Sequence, residues 1–454
     1  MPHKKKKIIL LIGDIFVLYL SLYLSLWARF LARPASTLWH DYLYYFSFIF
    51  LLWILIFYIS NLYHVNFFSL NLKFFQTIVQ NILICGSLAA IFFYLIPYKT
   101  ISPKSILFLY LLFFLISFIV WRRIFQLILG SYLPKQNIII IGFDPLVQEL
   151  IQEIQNKPQM GYRIVLLAGL SQIPKINGVR TLSNTNFSDL RKIIAKEKVS
   201  YIILNSESAN LDEIRNALFD CLFLGAEYIN IVNFYESIAG KIALPAIDKM
   251  WFLEHFNKGE LYWFSFVKRI FDFSLAIIIL VLTLPVWPLI AICIKIESRG
   301  TVFFQQMRTG KNKRKFNLIK FRTMREEGNN RSLTINNDPR ITRFGRFLRI
   351  TRIDEIPQVI NILKGEMSFV GPRPERPIII TKREKEIPFY NERLLVHPGI
   401  TGWDQVSGEY HSASREDTLK KLQYDLFYIK NRSLFLDFSI MLKTIAIVLG
   451  AKGR

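Results

Sequence analysis

Long apolar runs dominate the first 121 residues of the chain. Four of them, approximately Ile8–Leu26, Tyr42–Leu62, Ile78–Pro97 and Ser105–Trp121, have about the 17–25 residues that a helix needs to cross a bilayer core. The first run follows four lysines, Lys4–Lys7, and no small-residue cleavage site comes after it, so we interpret it as an uncleaved anchor. The pattern predicts four membrane-spanning helices.

Charges near these runs predict their orientation. Lys4–Lys7 place the N-terminus in the cytoplasm by the positive-inside rule, and Arg122 and Arg123 after the fourth run favour the same side. Asp14 lies inside the first run. An acid within a membrane segment is often functional, but we favour a buried, hydrogen-bonded structural acid.

Between residues 136 and 250, short apolar strands alternate with helical stretches. The strand candidates are Asn137–Ile141, Arg163–Leu170, Ser200–Asn205 and Tyr228–Val232, and residues 145–156 look helical. This alternation predicts a parallel sheet in a Rossmann-like α/β domain. A dinucleotide-binding turn needs three glycines after the first strand. Only Gly142 stands there, so we expect the fold without the cofactor.

A fifth apolar run, Ile270–Ile296, is long enough to span and carries Pro285 and Pro288 past its middle. A proline inside a helix removes a backbone hydrogen bond and kinks it. Residues 297–454 hold 30 Lys and Arg against 17 Asp and Glu, a net charge of +13. A fifth crossing would carry this basic region outward, against the positive-inside rule. We therefore favour a re-entrant helix that enters and leaves on one face, with simple crossing as the alternative.

Composition agrees with a membrane protein that meets anionic partners. The chain has 454 residues, 52% hydrophobic and 15% aromatic, with 57 Lys and Arg against 34 Asp and Glu, a net charge of +23. So large an apolar share excludes a disordered nucleic-acid-binding tail. Three isolated cysteines, Cys85, Cys221 and Cys293, argue against a disulfide framework or a Cys-rich zinc site.

The most basic stretch extends from Arg299 to Arg352, with 15 Lys and Arg against three acids. Within it, Val302–Met307 and Phe316–Phe321 form strand patterns joined by a turn at Thr309–Lys313, which predicts a hairpin. Closely spaced basic groups suit phosphate recognition. A solvated or lipid-facing basic surface is the simpler interpretation. Nucleic acid is a poor candidate for a domain tethered behind five membrane segments.

An acidic pair, Asp354 and Glu355, follows this basic stretch and precedes Pro357, which favours the first turn of a helix. An aspartate there is ordinarily an N-cap. Two adjacent carboxylates among arginines also suit Mg²⁺ held together with substrate phosphates. A carboxylate can also attack phosphorus and form a covalent intermediate.

Six ordered motifs resemble the bacterial sugar transferase family, the polyprenyl-phosphate hexose-1-phosphate transferases. They are Lys268–Asp272, Phe321–Met324, Asp338–Arg340, Asp354–Glu355 with Pro357–Gln358, Gly371–Pro374 and Pro398–Trp403. They fall between about residues 265 and 452. The whole chain resembles the family's long members, which add four spanning helices and a Rossmann-like domain.

The resemblance implies a helical membrane protein with α/β parts and an α+β catalytic domain. The predicted domains are a four-helix membrane domain, a Rossmann-like domain, a linker, a re-entrant helix and a catalytic domain ending in amphipathic helices, at 1–135, 136–250, 251–267, 268–297 and 298–454. The implied location is the bacterial inner membrane, with the catalytic domain in the cytoplasm. A second copy of the chain is an open candidate partner.

The implied reaction moves a hexose 1-phosphate from a UDP-sugar, with UDP-glucose or UDP-galactose expected, to undecaprenyl phosphate and releases UMP. It is the first membrane step of exopolysaccharide, capsule or O-antigen synthesis. The resemblance assigns the nucleophile to Asp354 and has Glu355 help it hold Mg²⁺. It places phosphate contacts at Arg349, Arg373, Lys320 and Arg322, and the break of the membrane helix at Pro285.

Ping-pong kinetics follow, because a covalent route lets UMP leave before the lipid phosphate enters. Leu284 and the additional Pro288 depart from the usual break, and Asp404 and Ser407 depart from a loop near the substrates. Two other interpretations are a non-catalytic homologue and a nucleotide-sugar oxidoreductase. The first would show an altered acidic pair and the second a glycine-rich turn, and the chain has neither.

Overall fold

The structure of the protein is a computed structural model. It describes residues 2–60, 62–63, 72–95, 103–132, 136–156, 161–169, 174, 176, 178–183, 190–205, 212–219, 221–255, 258–325, 338–407 and 414–449. The chain forms two compact units, Met1–Phe234 and Tyr235–Arg454.

Four long helices open the first unit, in agreement with the apolar pattern: α1 Pro2–Phe30, α2 Ser36–Ile59, α3 Leu72–Leu95 and α4 Pro103–Tyr132. Within α1, α2 and α4, the stretches long and apolar enough to cross a membrane are Ile8–Phe30, Ser36–Tyr58 and Ile106–Phe125. In α3 the described apolar stretch is shorter, Asn81–Tyr94. Pro97, at the end of the third predicted span, lies outside the described residues.

Helices α1 and α4 are joined by a buried ion pair. Arg122 Nη2 donates to Asp14 Oδ2 at 2.8 Å, and Trp121 Nε1 donates to Asp14 Oδ1 at 3.0 Å. The Arg122 guanidinium also donates to the Leu62 carbonyl and lies over the Phe118 ring. The structural interpretation of Asp14 is confirmed. Arg122 is therefore a buried partner of Asp14.

A five-stranded parallel sheet completes the first unit, in the order β3-β2-β1-β4-β5, so the predicted parallel sheet is confirmed. Its strands are β1 Gln136–Ile141, β2 Tyr162–Gly169, β3 Arg180–Ser183, β4 Val199–Leu204 and β5 Glu227–Asn230, and its helices are α5 Pro145–Asn156, α6 Leu190–Glu197 and α7 Asp212–Phe219. The interior of the sheet is apolar, and Ile138–Ile141 of the central strand are fully buried.

The second unit begins at Tyr235, inside helix α8 Ile231–Ala239, and continues through α9 Lys249–His255. Glu236 binds Lys430 at 2.6 Å and Asn431 at 2.6 Å. The Gly240 carbonyl accepts a hydrogen bond from Trp403 Nε1 at 2.8 Å. These contacts attach Glu236 and Gly240 to the C-terminal region, although both residues lie within the bounds predicted for the Rossmann-like domain.

The apolar segment Trp263–Glu297 is long enough to cross a membrane but is not one continuous α-helix. Helix α10, Lys258–Thr283, ends at a 3₁₀ turn, Leu284–Val286, and α11 continues over Trp287–Glu297. Pro285 lies in that turn, where its missing N–H interrupts the helical hydrogen bonds. The Thr283 hydroxyl donates to the Ile279 carbonyl and accepts from Trp287 Nε1, which supports the interrupted turn.

The remaining elements follow α11. They are the antiparallel hairpin β6 Phe303–Thr309 and β7 Lys315–Phe321, the helices α12 Arg343–Ile350, α13 Gln358–Lys364, α14 Pro377–Glu386, α15 Trp403–Val406, α16 Arg415–Lys430 and α17 Leu434–Leu449, and the parallel pair β8 Ser368–Val370 and β9 Gly399–Thr401. The predicted hairpin is confirmed. Helix α11 packs through Ile290 and Ile294 onto Phe321 and Leu348, which forms a small core beneath the hairpin.

Candidate active site

The acidic pair lies in a tight turn between α12 and α13. Asp354 and Glu355 occupy a single 3₁₀ turn, Ile353–Glu355, and only 9% and 7% of their surfaces are exposed. Arg352 precedes the turn with a left-handed backbone, φ 58°, which an L-residue adopts at a cost of about 1–2 kcal/mol. This reversal turns the chain out of α12 and directs both carboxylates inward.

Helix α13, which follows the turn, starts later than the position of Pro357 predicts. Pro357 is the N-cap of α13, so α13 begins at Gln358. Asp354 and Glu355 therefore do not cap a continuous helix. The charges nearest to the two carboxylates are those of side chains.

The Glu355 carboxylate lies close to three cationic side chains. Its Oε1 lies 2.6 Å from Lys320 Nζ and 3.0 Å from Arg373 Nη2, and its Oε2 lies 3.8 Å from Arg352 Nη1. Burial alone would raise the pKa of this carboxyl, but Arg373 and Lys320 outweigh it and hold the pKa well below its usual range. Glu355 is thus an ionised anchor that fixes cations at the site.

Asp354 is placed differently from its neighbour. Among the residues that the structure describes, none donates a hydrogen bond to its carboxylate. Burial raises the pKa of Asp354, Lys320 opposes that rise, and the charge of Glu355 adds to it. A buried carboxylate with unused lone pairs, surrounded by cations, is available to accept a metal ion or to attack an electrophile.

Arg373 reaches Glu355 from a rigid loop after β8. The Arg373 carbonyl accepts from Arg393 Nη2 at 3.1 Å, and the Pro374 carbonyl accepts from Arg308 Nη1 at 3.3 Å. At Gly371 the loop backbone approaches the backbone at His397 so closely that a side chain would not fit. A Cβ at this position would stand 2.4 Å from the His397 carbonyl oxygen. Backbone carbonyls and a close approach at Gly371 therefore fix this loop.

The two other predicted phosphate ligands have different surroundings. Arg349, in the last turn of α12, donates from Nε to Thr323 Oγ1 at 2.8 Å and interacts electrostatically with Asp354. Arg322 directs its two terminal nitrogens to the carbonyls of Ser298 and Arg299, at 2.8 and 3.0 Å. Arg322 therefore fixes the chain after α11, whereas Arg349 belongs to the electrostatic cluster around the acidic pair.

Two residues outside the predicted set support this cluster. Arg352 is the third cation of Glu355. Arg393 is buried and pairs with Glu375 at 2.9 Å and Asp425 at 2.8 Å while holding the Arg373 loop. Arg352 adjoins the acidic pair in sequence, so its proximity was visible, but nothing in the sequence around Arg393 signals its role.

The donor set suits a magnesium ion shared with a substrate. Within the described part of the chain, no three His, Cys, Asp or Glu side chains come together as a metal site. Mg²⁺ commonly takes only one or two carboxylates plus substrate phosphates. Asp354 offers a carboxylate without a hydrogen-bond donor, and Glu355 offers Oε2, because its Oε1 is committed to Lys320 and Arg373.

Comparison with known proteins places this site in a family. A family model described as bacterial sugar transferase matches residues 263–451. A UDP-N-acetylgalactosamine-undecaprenyl-phosphate N-acetylgalactosaminephosphotransferase of Aeromonas hydrophila is 44% identical over 192 residues, 42% of this chain and 45% of the relative. A UDP-glucose:undecaprenyl-phosphate glucose-1-phosphate transferase of Escherichia coli (strain K12) is 32% identical over 326 residues, 68% of this chain and 67% of the relative.

The extent of the match differs between relatives. The chain spans less than half the length of the Aeromonas hydrophila protein, and 40% of a glucose-1-phosphate transferase of Xanthomonas campestris that is 45% identical. It covers 89% of an uncharacterised sugar transferase of Bacillus subtilis at 37% identity. With two thirds or more of both the Escherichia coli and Bacillus subtilis relatives covered, the chain belongs to the bacterial sugar transferase family.

Proposed function

We propose that the protein transfers a hexose 1-phosphate from a UDP-sugar to undecaprenyl phosphate and releases UMP. One observation carries the proposal: a buried Asp354 whose carboxylate lies beside Glu355, which holds Lys320, Arg373 and Arg352 around it. Several relatives are named for this kind of transfer, with N-acetylgalactosamine, glucose and galactose among their sugars.

In the first half-reaction, an Asp354 oxygen attacks the phosphorus that carries the sugar. The bond from that phosphorus to the bridging oxygen breaks, and UMP leaves with the electron pair. A mixed anhydride between Asp354 and the sugar phosphate remains. In the second half-reaction, a phosphate oxygen of undecaprenyl phosphate attacks the same phosphorus, which regenerates the carboxylate and gives undecaprenyl-diphosphate-sugar.

The cations around Glu355 supply the electrostatic stabilisation. Charge on the transferring phosphoryl oxygens needs fixed positive groups at short range, and buried cations act more strongly than solvated ones. Arg373 and Lys320 are held by Glu355, and Arg349 by Thr323. These side chains would orient the diphosphate with little rearrangement during reaction.

A magnesium ion is part of the proposal. Asp354 and Oε2 of Glu355 would hold it together with diphosphate oxygens, and it would neutralise charge on the leaving group. Lys320 and Arg373 keep Glu355 ionised, and therefore able to bind a cation, at neutral pH. Turnover that persists in excess EDTA contradicts this part of the proposal.

The re-entrant form of the segment Trp263–Glu297 is also a proposal, supported by contacts at both of its ends. Arg269, near the start, donates to the carbonyls of Ile362 and Leu363 at the end of α13. Glu297, at the far end, accepts from the backbone N–H of Phe344 in α12. Helices α10 and α11 thus both contact the region that contains α12 and α13. The turn around Pro285, between α10 and α11, carries exposed apolar side chains such as Leu284 and Val286.

The proposal includes a location and a pathway. UDP-sugars are made in the cytoplasm, so Asp354 would face it from the bacterial inner membrane, where undecaprenyl phosphate lies. The product would enter exopolysaccharide, capsule or O-antigen synthesis. UDP-glucose and UDP-galactose are the first sugar donors to test.

The test is incubation of the purified full chain with undecaprenyl phosphate and a panel of radiolabelled UDP-sugars. We expect one donor to yield labelled lipid and an equal amount of UMP. A variant with both Asp354→Asn and Glu355→Gln is the control for contaminating transferases. Release of free sugar in place of sugar-lipid, or no turnover with any donor, contradicts the proposal.

A further inference from the structure

A narrow cavity of about 180 Å³ opens beside the acidic pair, within the second unit. Its walls are mainly aliphatic, and Ile279, Val359, Phe369, Ile400, Ile447 and Val448 account for much of them. Arg352 and Glu355 also line it. The cavity therefore combines an apolar lining with the charged groups of the reaction site.

The cavity is also continuous with the membrane segment. Ile279, which lines it, lies in α10 five residues before the interrupting turn. Its neighbours Ile278, Val281 and Leu282 are 54%, 64% and 71% exposed, as lipid-facing side chains would be. Helix α17 contributes Ile447 and Val448 to the lining.

The position of α17 is fixed by polar contacts. Thr444 and Thr401 join their hydroxyls at 2.6 Å, which ties α17 to β9. Lower on the same helix, Asp437 accepts from Lys268 at 2.6 Å and from the Tyr428 hydroxyl at 2.8 Å. These contacts anchor α17 to β9 and to α10, so the elements that line the cavity are fixed relative to one another.

The small volume and mainly apolar lining of the cavity suit a hydrocarbon chain better than a nucleotide sugar. Pockets that enclose a ligand of drug size measure about 300–1,000 Å³. A polar uridine or hexose would also leave its hydrogen-bonding groups unpaired against aliphatic walls, at a substantial cost. A thin branched hydrocarbon chain with an anionic head meets neither objection.

We propose that this cavity, which we name the prenyl groove, holds the first isoprene units of the acceptor lipid. The inference rests on the proposed function and extends it. The phosphate of the acceptor would lie at the Arg352 end, since that guanidinium is about one-third exposed and only 3.8 Å from Glu355 Oε2, with donors to spare. The hydrocarbon chain would pass between Ile279 and Val448 into the bilayer.

The test separates the two half-reactions of the full chain in detergent micelles. UMP release without acceptor reports the first, and labelled sugar transfer to undecaprenyl phosphate reports the second. Ile279→Trp and Val448→Trp fill the groove. We expect UMP release at the parental rate and an acceptor KM raised by at least about tenfold, because apolar contacts worth about 0.8 kcal/mol per methylene are lost.

Two matched controls introduce the same tryptophan outside the groove. Ile278→Trp and Ile445→Trp alter exposed positions on α10 and α17 and should keep the parental acceptor KM. Ile447→Ala, which enlarges the groove and strains nothing, should also raise the acceptor KM while UMP release continues. Normal UMP release in each variant shows that the fold is intact.

Three results overturn the inference. They are a parental acceptor KM in the filled variants, an equal fall in UMP release and transfer, and an equal rise in KM in the controls. The last would show that the rise in acceptor KM does not come from filling the groove. If the parent itself releases no UMP and forms no lipid product, the proposed function fails, which is a separate outcome.

Discussion

Lys320 Nζ lies 2.6 Å from Glu355 Oε1, so a lysine that the sequence placed among phosphate ligands is in fact bound to the second carboxylate. The pair is almost enclosed, with side chains 18% and 8% exposed. Lys320 also acts on Asp354, because its charge is the main influence that opposes the burial-induced rise in the pKa of that carboxyl. One lysine thus influences both acids of the site.

The fall in the rate of UMP release at low pH (the acid limb of the pH profile) should report the protonation of Asp354. The nucleophile must be ionised, and since burial raises its pKa, activity should fall as pH drops through a value above the ordinary ~3.9 of aspartate. Lys320→Met removes an opposing cation, so its limb should move to higher pH. Lys315→Met, exposed on the same strand, should keep the parental profile. Coincident limbs in parent and Lys320→Met would contradict this assignment.

The membrane helices should depend on the Asp14–Arg122 pair. Asp14→Leu leaves a buried guanidinium without its counter-ion, which in soluble proteins costs about 3–5 kcal/mol, so thermal unfolding in detergent should shift markedly downward. Asp14→Leu combined with Arg122→Leu should recover part of the loss, whereas Arg123→Leu, an exposed neighbour, should change little. A double variant no more stable than Asp14→Leu alone would show that the pairing is not the cause.

Truncation should depend on where the cut falls. A chain starting at Tyr235 keeps Glu236 with Lys430 and Gly240 with Trp403, and should be folded and active. A chain starting at Leu261 lacks both contacts and should unfold at a lower temperature. Its activity should also be reduced, because Trp403 has lost its hydrogen bond to Gly240. Equal melting temperatures and rates for the two truncations would rule out a stabilising role for residues 235–260.

The first of these cuts could not have been chosen from the sequence. The strand–helix alternation identified the sheet and four of its strands, because buried parallel strands are continuous apolar runs. It missed β3, whose four residues include Arg180, Thr181 and Ser183 and carry little apolar signal. The boundary at Tyr235 depends on contacts with residues almost 200 positions away, and no local pattern reports those.

In the candidate site, too, the sequence predicts which residues take part but not which of them are in contact. The family resemblance assigned Asp354, Glu355, Arg373 and Lys320 to the site, and the structure brings these four side chains together. Which of them touch could not be read from the motifs, because the pairs join segments as far apart as 35 positions in the chain. Arg322 is only two residues from Lys320, but it lies just after β7 and donates to the carbonyls of Ser298 and Arg299, which follow α11.

The membrane segment should enter and leave on the cytoplasmic face. In a background with Cys85, Cys221 and Cys293 replaced, Ser265→Cys and Thr301→Cys place exposed thiols at its two ends. In whole cells, an impermeant thiol reagent should label neither until the membrane is permeabilised. Labelling of Thr301→Cys alone from outside would mean that the segment spans, and the re-entrant proposal would then be wrong.

The central claim is that Asp354 carries the sugar phosphate between the two substrates. The direct measurement is mass spectrometry of the protein quenched after mixing with its UDP-sugar and no acceptor. We expect a hexose-phosphate adduct on the peptide containing Asp354, with one UMP released per adduct. Asp354→Asn should show neither, and should remain folded because Asp354 receives no hydrogen bond from the described residues. UMP release that requires the acceptor, or an adduct on another residue, would contradict the claim.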